Sequence, residues 1–209
     1  MKVLNLYAGI GGNRKLWEDV EVTAVEINEQ IAKIYQDNFP NDKVIIGDAH
    51  QYLLDHYHEF DFIWSSPPCP THSKARFWSS KGGMYAISYP EMALYQEIIL
   101  LKNFCKSHWV TENVVPYYEP LITPKVEIGR HLFWSNFNIS KTKSESNYIF
   151  GGDDKKRVSE MLGFKLDGYQ IEDKTKILRN CVHPDLGLHI LDCARGTIRA
   201  KDLRQLTMF

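Results

Sequence analysis

Residues 3–12 read VLNLYAGIGG, an apolar run that ends in a cluster of glycines. The run predicts a buried strand at residues 3–7, and the glycines predict a tight turn that opens a helix over GIGGNRKLW. In open α/β sheets, ligands bind where the strands end, and glycine lets the backbone approach them closely. Such a turn serves many nucleotides and is sometimes purely structural, so the stretch indicates a fold class and not yet a function.

Working outward, short apolar runs alternate with helical patterns through the first half of the chain. Further strands are predicted at residues 22–25, 44–46, 60–64, 109–111 and 132–137. Helices are predicted at residues 29–39, 51–56, 90–106, 155–162 and 184–194. This alternation predicts an α/β fold, in which a parallel sheet is covered by helices on both faces.

The composition is that of an ordinary globular protein. The 209 residues are 44% hydrophobic and 24% charged, enough for one compact domain or one domain with a small appendage. With a net charge of −1, any nucleic-acid partner must be bound by a local basic patch. The four cysteines lack metal-ligand spacing, so neither zinc nor a disulfide framework is expected. No stretch is long enough for a signal peptide or a membrane span, so we expect a cytoplasmic protein.

Acidic residues follow the second and third predicted strands. Glu26 lies where a carboxylate can accept hydrogen bonds from a ribose diol, and Asp48 lies where it can hold an adenine amino group. Either acid alone is more often a helix N-cap or a solvated turn residue. Because polar groups or glycines end three successive strands, the pattern favours a nucleotide-like ligand.

The most specific signal is SSPPCP at residues 65–70, directly after the fourth predicted strand. Structural cysteines usually lie within strands or helices, so a cysteine among prolines favours a nucleophilic thiol on a rigid loop. The fifth strand ends in TENV, and parallel neighbours would bring Glu112 beside Cys69. A carboxyl group at an apolar edge costs free energy unless it is paired or protonated. A protonated Glu112 could donate to a ring nitrogen.

The motifs, and their order along the chain, resemble those of the DNA cytosine-5 methyltransferase family, and the resemblance covers nearly the whole chain. LYAGIGG, VEIN and GDA resemble its cofactor motifs, SPPCPTHS its Pro-Cys loop and TENV its Glu-Asn-Val motif. GRHLF is a weaker likeness of its Arg-containing strand. RVSEMLGFKLDGY resembles its penultimate motif, and RNCVHPDLGLHIL the last motif, which packs back on the cofactor. The Pro-Cys and Glu-Asn-Val pair is specific, and the other motifs are supportive.

The resemblance implies a Rossmann-like class I methyltransferase sheet, S-adenosylmethionine as cofactor and a flipped cytosine in DNA as substrate. Cys69 would add to cytosine C6, Glu112 would hydrogen-bond N3 and the exocyclic amine, and Arg130 would hold Glu112 and the base oxygen. The other implied catalytic residues are Pro68 and Asn113. The implied cofactor-binding residues are Tyr7, Ala8, Gly9, Gly11, Gly12, Glu26, Ile27, Asp48, Ala49, Pro67 and Asn180.

The chain departs from the family pattern at several positions. Asn5 stands where an acid is usual, Pro70 where glutamine is, and Arg179 where glycine is. Only Arg130 remains of a Gln-x-Arg-x-Arg pattern. Ile27 replaces an aromatic residue that stacks on the cofactor, which leaves Tyr7 as the expected aromatic contact.

The region that reads DNA sequence in this family is very short here. Residues 138–154 are polar and without periodicity, which predicts a loop too small for a target-recognition domain. The chain then divides into a catalytic domain at 1–137, a vestigial recognition loop and penultimate helix at 138–178, and a C-terminal motif at 179–209. Residues 71–89 would form a mobile loop that closes over DNA. The predicted DNA-binding residues are Ser73, Lys74, Arg76, Lys141, Lys143, Lys155 and Lys156.

Three alternatives stay open. The substrate could be RNA, as in the branch of this family that modifies transfer RNA. The chain could also be a catalytic subunit, or a methyltransferase-like binding module, that needs a partner chain for DNA recognition. The joint presence of Cys69, Glu112 and Arg130 argues against a module without catalysis. An amino-group methyltransferase is disfavoured, because its Asp/Asn-Pro-Pro-aromatic motif is absent. The compact chain suggests a restriction-modification or phage orphan enzyme.

Overall fold

The computed structural model describes residues 1–141 and 155–196, without the side chains of Lys155 and Lys156. The strands are β1 (Lys2–Leu6), β2 (Glu21–Glu26), β3 (Lys43–Ile46), β4 (Phe62–Ser65), β5 (His108–Val114), β6 (Val126–Ile128) and β7 (His131–Ser135). The helices are α1 (Glu29–Asn38), α2 (Ala49–His56), α3 (Lys74–Lys81), α4 (Ala93–Phe104), α5 (Lys155–Leu162), α6 (Lys174–Arg179) and α7 (Pro184–Ala194), with a 3-10 turn at Tyr57–Glu59.

The strands form one sheet in the order β3-β2-β1-β4-β5-β7-β6. The first five strands are parallel, as the alternating pattern predicted. β7 is antiparallel to both β5 and β6. Only Gly129 and Arg130 connect β6 to β7, and a two-residue hairpin loop of this kind returns the chain antiparallel. This is the Rossmann-like sheet that the sequence resemblance implied.

Helices cover both faces of the sheet, as predicted. On one face, Leu4 and Leu6 of β1 pack against α2 and α4, which contribute Leu53, Leu94, Ile98 and Leu101. On the other face, Val3, Phe62 and Trp64 pack against Leu186, Ile190 and Leu191 of α7. Side chains alternate between the two faces along each strand, so both faces are apolar.

The prediction of a helix after the glycine turn was wrong, because no helix lies between β1 and β2. Gly9 and Gly11 have φ values of 55° and 87°, which interrupt a right-handed helix. The Arg14 guanidinium binds the Asp42 carboxylate at 2.8 and 3.0 Å and the Trp17 carbonyl at 2.7 Å. A Cβ added to Gly187 of α7 would lie 2.2 Å from the backbone oxygen of the Asn13 residue that precedes Arg14. Long-range contacts therefore hold residues 9–17 as a chain of turns.

Residues 71–89 are not entirely the loop that was predicted, because α3 occupies their centre. Ser73 is its N-cap, and residues 74–81 contain neither glycine nor proline until Gly82 and Gly83 follow. The sequence also missed β6 and α6, both of six residues or fewer. No helix within residues 1–141 and 155–196 is long and apolar enough to cross a membrane.

Candidate active site

The ends of β4 and β5 bring the Pro-Cys loop against the Glu-Asn-Val segment. Ser65 pairs in register with Thr111, so the loop starts beside Glu112. The buried side chain of Asn113 donates to the Pro67 carbonyl at 2.9 Å. This bond ties the loop to β5 two residues before Cys69, which is the juxtaposition that parallel strand ends predicted.

Cys69 lies half-buried in a tight turn. Its carbonyl accepts hydrogen bonds from the backbone N–H groups of His72 at 3.0 Å and Ser73 at 3.1 Å. Burial raises the pKa of the Cys69 thiol, and the nearby Glu112 charge raises it further, while Arg130 acts in the opposite direction. Near neutral pH the side chain is therefore mainly a thiol, and it must lose a proton before it can act as a nucleophile.

Glu112 is buried at the end of β5. Burial raises the pKa of its carboxyl group to about 7, although the Ser66 hydroxyl and Arg130 act to lower it. A substantial fraction of Glu112 therefore carries a proton at neutral pH. A carboxyl group in this state can donate to a ring nitrogen, which an ionised carboxylate cannot do.

A histidine that the sequence did not predict, His131, lies next to Glu112. Its Nε2 lies 3.6 Å from Oε1 of Glu112, and both side chains are less than 10% exposed. Burial lowers the pKa of His131 to about 3, so the pair is not an ion pair at neutral pH. Arg130 is exposed, and its Nη2 donates to the Arg179 carbonyl at 2.5 Å. Its predicted role towards Glu112 and the base stays a prediction.

The glycine turn and the largely buried Glu26 lie side by side at the ends of β1 and β2. The Glu26 carboxylate accepts the Gly9 N–H at 3.0 Å through Oε2 and the Asn28 N–H at 2.9 Å through Oε1. A Cβ added to Gly9 would meet no atom within 4 Å, so the backbone is open to a ligand there. Beside it, Ile27 is 71% exposed. These features fit an adenosine group. The Gly9 backbone is open, each Glu26 oxygen has a further lone pair that can accept a hydrogen bond, and Ile27 offers an exposed apolar side chain.

Asp48 is exposed and caps α2, accepting the His50 N–H at 2.8 Å and the Gln51 N–H at 3.3 Å, both through Oδ1. The N-cap alternative for Asp48 is therefore correct, and adenine binding through Oδ2 stays a prediction.

The other predicted cofactor residues differ in exposure. Gly11 and Gly12 are packing positions, because an added Cβ would lie 2.3 Å from Phe39 and 2.5 Å from the Val182 carbonyl. Asn180 is the exposed C-cap of α6. Ala8, Ala49 and Pro67 are buried, and Pro68 is exposed.

The predicted DNA-binding residues lie only partly within the described chain. Lys74 and Lys141 are exposed, and the Arg76 guanidinium lies 3.9 Å from the centre of the Tyr85 ring. Lys143 and the side chains of Lys155 and Lys156 lie outside the described residues.

The first half of the chain matches a known family. The model for C-5 cytosine-specific DNA methylase matches residues 1–114, which include the glycine turn, Glu26, Cys69 and Glu112. The chain belongs to the C-5 cytosine-specific DNA methylase family. Membership makes this methylase a methyltransferase of the cytosine C5 class, with S-adenosylmethionine as the methyl donor of the family. The motifs after residue 114 rest on the sequence resemblance alone.

Solved structures similar to the methylase include several methyltransferases. DNMT2 of Spodoptera frugiperda is 27% identical over 54% of this chain and 35% of its own, with a TM-score of 0.36. EhMeth of Entamoeba histolytica is 19% identical over 58% and 40%, with a TM-score of 0.38. A SAM-dependent methyltransferase of Agrobacterium tumefaciens is 14% identical over 56% and 40%, with a TM-score of 0.39. The methylase thus spans less than half of each of these chains. No match was found among curated proteins.

Glu26→Ala is expected to weaken binding of S-adenosylmethionine by about 1–3 kcal/mol, the cost of a lost charge-assisted hydrogen bond. Titration calorimetry measures the change, and Glu29→Ala, in the exposed first turn of α1, is the matched control. Unchanged affinity in Glu26→Ala would place the cofactor elsewhere.

Proposed function

We propose that this methylase transfers a methyl group from S-adenosylmethionine to carbon 5 of cytosine in DNA, through a covalent Cys69 adduct with a flipped base. The observation that carries the proposal is the hydrogen bond from the Asn113 side chain to the Pro67 carbonyl. This bond joins the loop that carries Cys69 to the strand that carries Glu112. The pKa of Glu112 near 7 supports its role as a donor. The open backbone at Gly9, beside the Glu26 carboxylate, supports a nucleoside-containing cofactor at the same edge of the sheet.

The chemistry follows from the weak nucleophilicity of cytosine C5. Cys69 releases its thiol proton to water, and its Sγ forms a bond to C6 while Glu112 donates to N3. The ring electrons then accumulate at C5. When bound, S-adenosylmethionine supplies the electrophilic methyl group that C5 takes up. Loss of the C5 proton to a base and release of Sγ from C6 restore the aromatic ring and the thiolate.

The residues around the site hold these groups in position. Asn113 and the prolines fix the backbone of Cys69, which lowers the entropic cost of the attack. The neutral His131 beside Glu112 leaves the acid with its proton, whereas a permanent cation there would favour the carboxylate. C6 and N3 are inaccessible to such groups within a base stack, so the cytosine must be flipped into the pocket.

The methylase should read a short or degenerate target of about two to four base pairs, because each good base contact discriminates by only about 1–3 kcal/mol. The recognition loop predicted at residues 138–154, of which 142–154 lie outside the described residues, is long enough for only a few such contacts. Exposed cations such as Lys74 and Lys141 would bind phosphates, so affinity should fall steeply as salt rises. The test is bisulfite sequencing of DNA from methylation-free cells that express only this chain. A strictly read site of six base pairs would contradict the prediction, and an unmethylated genome would favour a partner subunit.

A further inference from the structure

Glu97 of α4 is a buried carboxylate that the predicted chemistry does not use. It is 1% exposed, and three side chains from other segments meet at its two oxygens. Oε1 accepts the Tyr7 hydroxyl at 2.6 Å and lies 2.9 Å from Nδ1 of His50. Oε2 accepts the Ser65 hydroxyl at 2.5 Å. The Tyr7 and Ser65 hydroxyl groups are the donors in the first and last of these contacts, and the carboxylate oxygens accept.

Each partner of Glu97 begins a different part of the proposed site. Tyr7 follows β1 and starts the glycine turn. Ser65 ends β4 and immediately precedes the Pro-Cys loop. His50 lies in the first turn of α2, two residues after Asp48. One carboxylate therefore joins the cofactor edge to the base of the loop that carries the nucleophile.

The hydrogen bonds to Glu97 are strong because the carboxylate is buried. A carboxylate buried without partners costs several kcal/mol, and charge-assisted hydrogen bonds compensate for that cost. Tyr7 has a φ of 55°, a conformation that residues other than glycine rarely adopt, so its position needs support from outside the turn. The bond to Glu97 supplies that support. Burial and the Glu97 charge both raise the pKa of Tyr7, so its hydroxyl stays a donor.

We propose that Glu97 is a positioning residue that fixes the glycine turn relative to the Pro-Cys loop, and so sets the distance between the methyl donor and the target base. This role rests on the proposed function for the identity of the two halves of the site. It acts through Tyr7 on one side and through Ser65 on the other. A displacement of about 1 Å between reacting groups can cost about 10²-fold in rate.

The test separates the two sides of Glu97. Tyr7→Phe keeps the aromatic ring and removes the hydrogen bond to Glu97. It should weaken binding of S-adenosylhomocysteine about tenfold, as measured by titration calorimetry. Ser65→Ala should leave that affinity within about twofold and slow single-turnover methylation about tenfold or more. Glu97→Gln, which removes the charge, should show both defects. In the Tyr7→Phe/Glu97→Gln double variant the binding losses should not add, because both remove the same interaction.

The matched control is Glu127→Gln, which changes an exposed carboxylate on β6. A purely structural Glu97 would lower the melting temperature while leaving the affinity and single-turnover rate of the folded protein at wild-type values, and that result would overturn the proposal. Additive binding losses in the double variant would also overturn it. If the wild-type chain does not bind S-adenosylhomocysteine, the proposed function fails first, and this role fails with it.

Discussion

Cys69→Ala is expected to lower methyl transfer by about 10⁴-fold or more, because the variant lacks the thiol that bonds to C6 in the proposed mechanism. The same variant should lose the denaturation-resistant adduct with duplex DNA that carries 5-fluorocytosine at the target positions. Fluorine at C5 cannot leave as a proton does, so the wild-type chain stays bonded to the base. Gel electrophoresis under denaturing conditions measures the adduct directly.

Cys105→Ala is the matched control, because Cys105 is also half-buried but caps the far end of α4, with its Sγ 3.7 Å from the Ser107 carbonyl. It should form the adduct at the wild-type level. An adduct that survives Cys69→Ala would refute the covalent mechanism, and its sulfur would have to come from another cysteine.

Glu112→Gln is expected to slow methyl transfer by about 10²–10⁴-fold, the usual contribution of a positioned acid. The pH profile tests its protonation more sharply. The Cys69 thiolate becomes more abundant as pH rises, since its pKa is raised, while the protonated form of Glu112 declines above about 7. We therefore expect kcat/KM to rise with pH up to about 7 and then to level off. Steady-state kinetics across pH locates the break.

His131→Arg should move that break to lower pH. A permanent cation in place of the neutral imidazole, whose Nε2 lies 3.6 Å from Glu112, favours the charged carboxylate and lowers its pKa. His131→Gln is neutral like the wild-type side chain and should leave the break where it is. A break that stays in place in a folded His131→Arg protein would show that it does not belong to Glu112.

The sequence predicted the parts of the molecule that depend on strand order. Apolar runs predicted five parallel strands, and parallel strands bring their carboxyl ends to one edge, so the proximity of Cys69 and Glu112 followed from their places after β4 and β5. The motif pair predicted the family, which the match to residues 1–114 confirms. These predictions needed only local pattern and chain order.

The features that the sequence did not predict depend on contacts between residues far apart in the chain. The turns at residues 9–17 are held by Asp42 and α7, which no local pattern reveals. Glu97 could have been suspected, because an acid in the apolar stripe of Leu94, Ile98 and Leu101 needs partners. His131 lies two residues before the buried Phe133, on the same face of β7. Its short distance from Glu112, however, follows from the antiparallel pairing of β7 with β5.

The most direct test of the account is mass spectrometry of nucleosides from duplex DNA and transfer RNA, each incubated with the purified chain and S-adenosylmethionine carrying a heavy methyl group. The proposed mechanism predicts labelled 5-methyl-2′-deoxycytidine from the DNA, and none from DNA treated with Cys69→Ala. Label found only as 5-methylcytidine from the transfer RNA, or on the exocyclic amine of cytosine, would contradict it.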